Sequence, residues 1–295
     1  MKIALFSSGR ANYLPEEIGS LLEALRINGI DYSVNRPFAE LIALSTGVMP
    51  ECVYDALPLH CRAAMMVCYG GDGTFLEGVR LARECDIPIL GINSGRLGFL
   101  ASIPKAEASR ALARVVEGRY RIEHRSTLTV EGDLPVGEKK LFAFNELAIH
   151  RGAGPMISVE VFVNGEMVGR YWGDGAILST PSGSTAYSLS AGGPILAPEC
   201  ECFVISPIAP HNLTMRPVVI PDSSVVEFRI GSREAGGVSL TLDNRQYRVE
   251  GLARLRASKG EGNVKLVKLN DTSFYDTLRN KMMWGLDRRD QPREE

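Results

Sequence analysis

A glycine-rich turn carrying one carboxylate lies in the first third of the chain. The sequence Gly70-Gly71-Asp72-Gly73-Thr74 follows an apolar run, Ala63 to Tyr69, and precedes a segment with helical spacing, Phe75 to Glu84. Glycines adopt dihedrals that other residues avoid and let a ligand approach the backbone, so the N–H groups of this turn can face an anion at a helix N-terminus. Asp72 would oppose a phosphate unless it binds a cation or accepts a proton from an attacking hydroxyl.

The same residues have a purely structural interpretation. Gly-Gly-Asp-Gly could be a tight strand-to-helix turn in which Asp72 or Thr74 caps the helix. The order of strand, turn and helix around the motif is the context that a phosphate loop requires, and it favours the functional interpretation. A second motif is needed to support it.

The second motif is a block rich in hydroxyl groups, from Asp174 to Pro194. Seven of the ten residues from Ser179 to Ser188 carry a hydroxyl. Because hydroxyls both donate and accept hydrogen bonds without a charge, a dense row of them suits a ligand with ribose hydroxyls, base edges and phosphates. The alternative is an exposed Ser/Thr-rich loop, against which stand the apolar strand start Ala176 to Leu178 and the compact Ala-Gly-Gly-Pro that follows.

A third candidate is the pair Asn145-Glu146, which lies inside the apolar stretch Leu141 to Ile149. A neighbouring amide and carboxylate need partners if they are buried, and the pair could hold a sugar diol or a base edge. The two residues could equally be one inward and one outward side chain of an edge strand. His150 and His211 are alternative candidates for a general base.

Bulk properties limit the classes of function. The 295 residues suffice for two domains, and a formal net charge of -2 gives no electrostatic case for nucleic acid or membrane partners. No apolar run has the length of a signal-peptide core or a membrane span, so we expect a cytoplasmic protein. The six cysteines show neither a CxxC pair nor zinc-ligand spacing, and we interpret them as reduced thiols.

The first hundred residues alternate between short apolar runs and helical patterns. This βαβ rhythm predicts a parallel sheet, and ligands bind such sheets beyond the carboxyl ends of the strands, where the Asp72 turn lies. The segments are Lys2 to Ser7, Pro15 to Asn28, Tyr32 to Val34, Ala63 to Tyr69, Phe75 to Glu84 and Ile87 to Ile92.

After about Tyr120 the pattern changes to alternation with period two. It is clearest from Ile157 to Val163, before the hairpin signal Asn164-Gly165, and it predicts a mostly β domain. Further strands are expected at Val225 to Ile230, Val238 to Leu242, Leu252 to Ala257 and Val264 to Leu269.

Two helical patterns frame the predicted domains. Ala106 to Val116 bridges the two domains, and Phe274 to Trp284 forms a terminal amphipathic helix. We therefore predict an α/β domain over residues 1–105, a β-rich domain over 106–270, and a C-terminal helix with a polar tail over 271–295.

Five motifs, taken together, resemble those of one known family, the NAD kinases. Their order and spacing match that family from about residue 63 to Trp284, whereas the first sixty residues resemble it only in their βαβ rhythm. The motifs are Gly70-Gly71-Asp72-Gly73-Thr74, Gly91-Ile92-Asn93 with Leu97-Gly98-Phe99-Leu100, Asn145-Glu146, the Asp174 to Pro194 block, and Pro210-His211-Asn212-Leu213 with Arg216-Pro217.

The resemblance implies an ATP-dependent kinase that phosphorylates the 2′-hydroxyl of the adenosine ribose of NAD and so makes NADP. It implies Asp72 as the catalytic base, and it implies that the glycine turn, with Gly71 and Gly73, serves the phosphates. It also implies a Rossmann-like α/β domain followed by a β-sandwich-like domain, a last helix that returns to the first domain, and a homo-oligomer, either a dimer or a tetramer. The positions that match dinucleotide-binding residues are Asn145, Glu146, Asp174, Thr185, Ala186, Tyr187, Ser188, Leu189 and Ser190.

The chain contains no Walker-type Gly-x-x-x-x-Gly-Lys-Ser/Thr sequence. The charge of a triphosphate must therefore be met by a divalent ion, with backbone N–H groups assisting, and we expect Mg²⁺ to enter with ATP. No side chain is assigned as a metal ligand.

Three positions depart from common choices in the family. Trp172 and Glu77 stand where members can carry a basic residue, and Asp243-Asn244-Arg245 replaces a short motif that ends in Gln. We expect Arg245 to contact the ligand with different chemistry. The competing interpretations are a lipid kinase of the diacylglycerol kinase type, a phosphofructokinase, and a non-catalytic dinucleotide sensor on a kinase scaffold.

Overall fold

The computed structural model of the chain describes residues 1–10, 13–56, 62–95, 98–134, 137–152, 156–231, 237–249, 252–270 and 273–283. The described chain forms two compact units, Met1–Glu123 together with the chain from Lys265 onward, and His124–Val264. Cys61, Leu97, Trp284 and the polar tail lie outside the described residues.

Six α-helices are present in the described ranges, and none of them is long and apolar enough to cross a membrane. They are α1 (Pro15–Ile27), α2 (Arg36–Thr46), α3 (Asp72–Glu84), α4 (Ala108–Val116), α5 (Tyr187–Ser190) and α6 (Phe274–Met282).

The first unit is built on an eight-stranded sheet in the order β3-β2-β1-β4-β5-β20-β7, with β6 beside β5. Its strands β1 to β5 pair in parallel, as the βαβ rhythm predicts. The strands are β1 (Lys2–Phe6), β2 (Asp31–Asn35), β3 (Val53–Tyr54), β4 (Met66–Tyr69), β5 (Ile89–Asn93), β6 (Ile103–Pro104), β7 (Tyr120–Arg125) and, from the end of the chain, β20 (Val264–Leu269).

The strand order reverses between β1 and β4. From β1 the chain continues to β2 and β3 on one side, and from β4 it continues to β5 on the other. The loops that follow β1 and β4 therefore leave neighbouring strand ends at a topological switch point, where open α/β sheets bind ligands. Ser8, after β1, and Thr74, after β4, lie next to each other at this point, with their side-chain oxygens 3.1 Å apart.

Helix α2 was not predicted from the sequence. Its signals are nevertheless present, because Pro37 lies in its first turn and Phe38, Ala39 and Ile42 are its buried residues. Proline in the first turn lacks an N–H that would be unpaired there in any case. The helix ends at Gly47, whose φ of 75° is typical of a glycine C-cap.

The second unit contains two six-stranded antiparallel sheets, in the orders β15-β14-β13-β10-β17-β18 and β12-β11-β16-β19-β8-β9. One apolar core receives residues from both sheets, including Leu147 of the first and Val159 of the second, as in a β-sandwich. The strands are β8 (Leu128–Gly132), β9 (Leu141–Ala143), β10 (Glu146–Arg151), β11 (Ile157–Val163), β12 (Glu166–Gly173), β13 (Gly175–Ser179), β14 (Cys202–Ile208), β15 (Val218–Pro221), β16 (Val226–Gly231), β17 (Val238–Leu242), β18 (Arg245–Val249) and β19 (Ala253–Lys259).

The predicted hairpin between β11 and β12 is confirmed. Asn164 and Gly165 both have positive φ, 51° and 86°, as a two-residue turn of type I′ requires. The strands pair antiparallel from Ile157 opposite Gly173 to Val163 opposite Glu166.

Strand β20 belongs to the first sheet, although the sequence pattern grouped it with the β-rich segment 106–270. Leu266 pairs with Ile89 of β5 in parallel, and the adjacent residues Leu266 and Val267 are both buried. Burial of consecutive residues is typical of a strand covered on both faces, as parallel strands are. Helix α4 also packs in the core of the first unit, so the compact units do not end at the predicted boundaries of 105 and 270.

The terminal helix α6 returns to the first unit, as expected, and is part of it. Ser273 caps its N-terminus by accepting a hydrogen bond from the N–H of Tyr275 at 3.1 Å. The ring of Phe274 lies 6.4 Å from the ring of Phe99, centroid to centroid. None of the residues of α6 is fully buried.

Helix α3 approaches β4 so closely that Gly78 has no room for a side chain. A Cβ atom there would lie 2.2 Å from Sγ of Cys68, whereas a Cβ at Gly19 of α1 would meet nothing within 4 Å. We expect Gly78→Ala to lower the free energy of unfolding by about 1–3 kcal/mol through overpacking. The matched variant Gly19→Ala should raise it by about 0.5–1 kcal/mol, since alanine favours the helix. Urea unfolding monitored by circular dichroism measures both, and equal stability of the two variants would contradict the packing argument.

Candidate active site

The glycine turn follows β4 directly. Gly70 has a φ of 153°, and a Cβ atom there would lie 2.7 Å from Cβ of Thr74, so this position requires glycine. Gly71 and Gly73 have ordinary dihedrals, and a Cβ atom at either would meet nothing within 4 Å among the residues that the structure describes. No contact of the described chain therefore requires glycine at these two positions, and the space beside them is open.

Helix α3 begins at Asp72 without a side-chain cap. Its N-cap residue is Gly71, which has no side chain that could accept a hydrogen bond from the first turn. The structural interpretation, in which Asp72 or Thr74 caps the helix, is therefore wrong. An uncapped N-terminus presents N–H groups and the positive end of the helix dipole, which is the arrangement that binds phosphates.

The Asp72 carboxylate is held by a loop that wraps around it. Oδ2 accepts the N–H of Phe99 at 3.0 Å, and Oδ1 accepts the N–H groups of Leu100 at 3.1 Å and Ala101 at 3.0 Å. A Cβ atom on Gly98 would lie 1.9 Å from Oδ1, so glycine is required there for the loop to close. Since each carboxylate oxygen can accept about two hydrogen bonds, Oδ1 is filled by backbone N–H groups and Oδ2 retains capacity.

In the second unit, Asn145 and Glu146 lie where β10 begins, and both are buried, with 5% and 7% of their surface exposed. Strand β10 is central in its sheet, between β13 and β17, so the interpretation as an edge strand is wrong. Oδ1 of Asn145 and Oε2 of Glu146 are buried and have no hydrogen-bond partner in the part of the chain that the structure describes. Unpaired buried acceptors cost about 1–3 kcal/mol each, and a ligand that donates hydrogen bonds would remove that cost.

A second carboxylate, that of Asp243, holds this turn. It accepts the backbone N–H groups of Phe144 at 2.9 Å, Asn145 at 2.7 Å and Glu146 at 3.3 Å. Burial raises the pKa of Asp243, while these three N–H groups and Arg245 oppose the rise. Arg245 also donates to the carbonyl of Phe142, so its guanidinium is tied to the same turn.

Burial and the neighbouring charge of Asp243 raise the pKa of Glu146 to about 8, against the N–H of Tyr187, which lowers it. The side chain is therefore largely protonated near neutral pH. A protonated carboxyl both donates and accepts hydrogen bonds, whereas a carboxylate only accepts them. The site can thus present either form of this group to a ligand hydroxyl.

Most of the hydroxyl-rich block serves the protein itself. Thr180 donates to the carbonyl of Phe144 at 2.7 Å, and Ser184 donates to that of Pro181 at 2.7 Å. Ser188 is fully buried, with its Oγ 3.3 Å from Oγ of Ser206. The hydroxyls therefore hold the loop beside Asn145, and only part of the expected row is left to face a ligand.

The remaining predicted residues of the block lie around a short 3₁₀ turn and α5. Thr185 ends the turn, Ala186 connects it to α5, and the two are half-buried, as are Tyr187 and Leu189. Ser190 is exposed. Of these residues, Tyr187 contacts the predicted pair directly, because its N–H hydrogen-bonds to Glu146.

Asp174 and Tyr187 share a cavity of about 250 Å³ in the second unit. Asp174 forms an ion pair with Arg151, with 2.6 Å between Oδ1 and Nε. The His150 ring stacks on Tyr187 at 5.3 Å between centroids, and burial lowers the pKa of His150 while the charge of Asp174 opposes the shift. The cavity is lined by His150, Arg151, Gly152, Asp174, Tyr187 and Ile208.

The departures noted in the sequence have structural counterparts. Glu77 forms an ion pair with Arg10, 3.3 Å apart, so the first unit carries a cation beside the position where one was expected. Trp172 lies on β12 and accepts the N–H of His211 at 2.7 Å through its carbonyl. Sequence reasoning did not find Arg151 or the turn-holding role of Asp243. The only available signal was that Asp243 begins the tight Asp-Asn turn between two strands.

A parallel α/β unit with a glycine-rich turn before an uncapped helix, and a β-sandwich unit with unsatisfied buried acceptors, are features of a nucleotide-dependent phosphotransferase. Comparison with protein families agrees with this class. Residues 48–120 match the ATP-NAD kinase N-terminal domain, and residues 144–269 match the ATP-NAD kinase C-terminal domain. The chain belongs to the NAD kinase family.

Individual relatives extend over almost the whole chain. The NAD kinase of Flavobacterium psychrophilum is 38% identical over 98% of this chain and 100% of its own length. Among solved structures, yeast NADH kinase complexed with NADH superposes with a TM-score of 0.83 at 25% identity, covering 99% of this chain and 90% of that one. An NAD kinase from Archaeoglobus fulgidus in complex with ATP has the same fold, with a TM-score of 0.73 at 24% identity over 96% of this chain and 99% of that one.

The raised pKa of Glu146 predicts a pH-dependent stability. The side chain loses its proton near pH 4.5 in the unfolded chain and near pH 8 in the folded chain. The contribution of this group to the free energy of unfolding is therefore fully present below pH 4.5 and declines as the pH rises to about 8. Glu146→Gln has no such titration, and it should become more stable than the parent protein by about 3–5 kcal/mol at pH 8.5. Thermal unfolding from pH 5.5 to 8.5 measures the difference. Glu166→Gln, at an exposed carboxylate of the same unit, is the control, and parallel curves for Glu146→Gln and the parent would refute the assignment.

Proposed function

We propose that the protein transfers the γ-phosphate of ATP to the 2′-hydroxyl of the adenosine ribose of NAD, giving NADP and ADP. The observation that carries this proposal is the Asp72 carboxylate, fixed by three backbone N–H groups beside an uncapped helix N-terminus. The full-length similarity to NAD kinases supports the choice of substrates, because relatives that bind NADH and ATP share the fold.

Asp72 is proposed as the general base. Phosphoryl transfer passes through a loose transition state that depends on positioning and charge neutralisation more than on covalent chemistry. In such a reaction the carboxylate orients the hydroxyl and takes its proton late. The capacity that remains on Oδ2, in contrast to the filled Oδ1, supports Oδ2 as the accepting atom.

Asn145 and Glu146 are proposed to bind the dinucleotide, together with Asp174, Arg245 and the 185–190 segment. Their buried, unpaired oxygens suit donors such as ribose hydroxyls and an adenine amino group. Ser188 would contribute through its main chain, since its hydroxyl lies against Ser206.

Mg²⁺ is proposed to arrive with ATP. Among the described residues no group of three or more His, Cys, Asp or Glu side chains could hold a metal ion. Mg²⁺ commonly keeps several waters and binds substrate phosphates with only one or two carboxylates, so this donor-poor site fits an ion carried by the triphosphate. The ion would neutralise phosphate charge, while the chain contributes the N–H groups of Gly71 to Thr74.

A homo-oligomer, either a dimer or a tetramer, and a cytoplasmic location complete the proposal. Strand β15 ends its sheet and carries the exposed Val218 and Val219, so an edge is present that another chain could pair with. Sedimentation velocity measures the oligomeric state.

The described cysteines are all unbridged, which fits a reducing compartment.

One assay tests the function. Purified protein is incubated with NAD, ATP and Mg²⁺, and NADP is detected with an NADP-specific dehydrogenase. Formation of NADP supports the proposal. Absence of product with both NAD and NADH would overturn it in favour of a dinucleotide sensor, and phosphorylation of diacylglycerol instead would identify a lipid kinase.

The role of Asp72 is tested by Asp72→Asn. The variant keeps one acceptor for the N–H groups of Leu100 and Ala101 but loses the carboxylate oxygen that takes the proton. We expect turnover to fall by about two to four orders of magnitude, with NAD binding unchanged. Steady-state kinetics and calorimetric titration with NAD measure the two effects. Near-normal NADP formation would remove Asp72 from the mechanism.

The dinucleotide site is tested by Asn145→Ala. Loss of the buried amide should raise the KM for NAD by about tenfold and leave the KM for ATP within twofold, because one hydrogen bond of about 1.5 kcal/mol is removed. Gln246→Ala is the control, an exposed amide of the same unit whose side chain bonds Ser239. Equal effects on the two substrates would make Asn145 a structural residue.

A further inference from the structure

The free side of the Asp72 carboxylate faces a lysine from the other end of the sequence. Nζ of Lys281, on α6, lies 3.5 Å from Oδ2, the oxygen that accepts one backbone N–H from the described part of the chain. This distance is at the outer limit of a hydrogen bond, so the lysine balances the charge without taking up the lone pair as a strong donor would.

Phe99 fixes the lysine in this position. The Lys281 ammonium lies 4.5 Å from the centroid of the Phe99 ring, and the same ring lies 6.4 Å, centroid to centroid, from the ring of Phe274 at the start of α6. The backbone N–H of Phe99 is itself bonded to Oδ2 of Asp72. One residue therefore aligns the carboxylate, the cation and the helix that carries the cation.

The charges around the turn explain why a cation is needed. A carboxylate among N–H groups that face phosphate repels the triphosphate, and the chain has no phosphate-loop lysine to offset it. Arg10, another cation of the first unit, is paired with Glu77. Lys281 and Asp72 each keep about one third of their side chain exposed, so their charges are only partly screened by water.

We propose that Lys281 is a positioning residue for phosphoryl transfer and acts through Asp72. It cancels the charge of the resting carboxylate, so that the triphosphate can approach, and it keeps Oδ2 directed toward the incoming hydroxyl. This inference rests on the proposed kinase function and adds to it a residue about 200 positions beyond the glycine turn.

The test begins with three single variants in the full-length protein. Lys281→Met should lower kcat and raise the KM for ATP by about tenfold each, with the KM for NAD within twofold. Lys281→Arg, which keeps the positive charge, should have a kcat and a KM for ATP close to those of the parent protein. Arg279→Met removes an exposed cation from the same helix, one that pairs with Asp276, and it should change neither constant. Unfolding midpoints that agree among the four proteins exclude a general loss of structure.

A double-mutant cycle then separates action through Asp72 from direct binding of phosphate. The dissociation constant for ATP is measured by calorimetry for the parent protein, Asp72→Asn, Lys281→Met and the double variant. If Lys281 acts by offsetting the carboxylate, its removal weakens ATP binding about tenfold in the parent background and less than twofold in the Asp72→Asn background.

Two results would overturn the inference. Kinetic constants of Lys281→Met within twofold of the parent would remove any role, and an equal loss of ATP affinity in both backgrounds would assign Lys281 to the phosphates directly. Either result is distinct from failure of the proposed function, in which the parent protein itself would form no NADP.

Discussion

The geometry of the first unit depends on three N–H groups that converge on the Asp72 carboxylate. A charged group is held in this way only if the backbone of the 98–101 loop comes within hydrogen-bond distance, and that approach is possible because Gly98 has no Cβ. The same carboxylate begins α3, so the turn, the helix and the loop after β5 share one anchor. A base whose position is fixed by main-chain atoms does not depend on side-chain rotamers, which favours a reproducible geometry.

The second unit uses the same device for a different purpose. Asp243 gathers the N–H groups of residues 144 to 146, and this leaves the side chains of Asn145 and Glu146 buried with acceptors unpaired. In the first unit the anchored carboxylate, Asp72, is itself the group that we propose as reactive. In the second unit the Asp243 carboxylate only holds the turn, and the side chains that we propose to bind the ligand are those of Asn145 and Glu146. Unsatisfied acceptors cost stability in the free protein, and such a cost is typical of a binding site.

Features encoded by neighbouring residues could be predicted from the sequence. The Asn164-Gly165 hairpin, the parallel rhythm of the first strands and the glycine turn depend on local dihedral preferences and hydrophobic periodicity. The inward direction of Ser188, the pairing of β20 with β5 and the approach of Lys281 to Asp72 could not be predicted in this way. Each depends on contacts between residues far apart in the chain, for which a single sequence carries no periodic signal. The sequence therefore predicted which residues form the site, but it did not predict the hydrogen bonds that those residues make.

The position of β20 also constrains how the protein is made. The first sheet contains β20 between β5 and β7, so a ribosome must synthesise about nine tenths of the chain before that sheet can be completed. Until then β5 and β7 leave the ribosome with edges that lack their native neighbour, and unpaired edges invite association with other chains. The intervening 124–264 unit has its own core and can fold during this interval. Closure of the first sheet is then a late, long-range event that joins a strand from the last part of the chain to strands from its first half, and such non-local pairing is intrinsically slow.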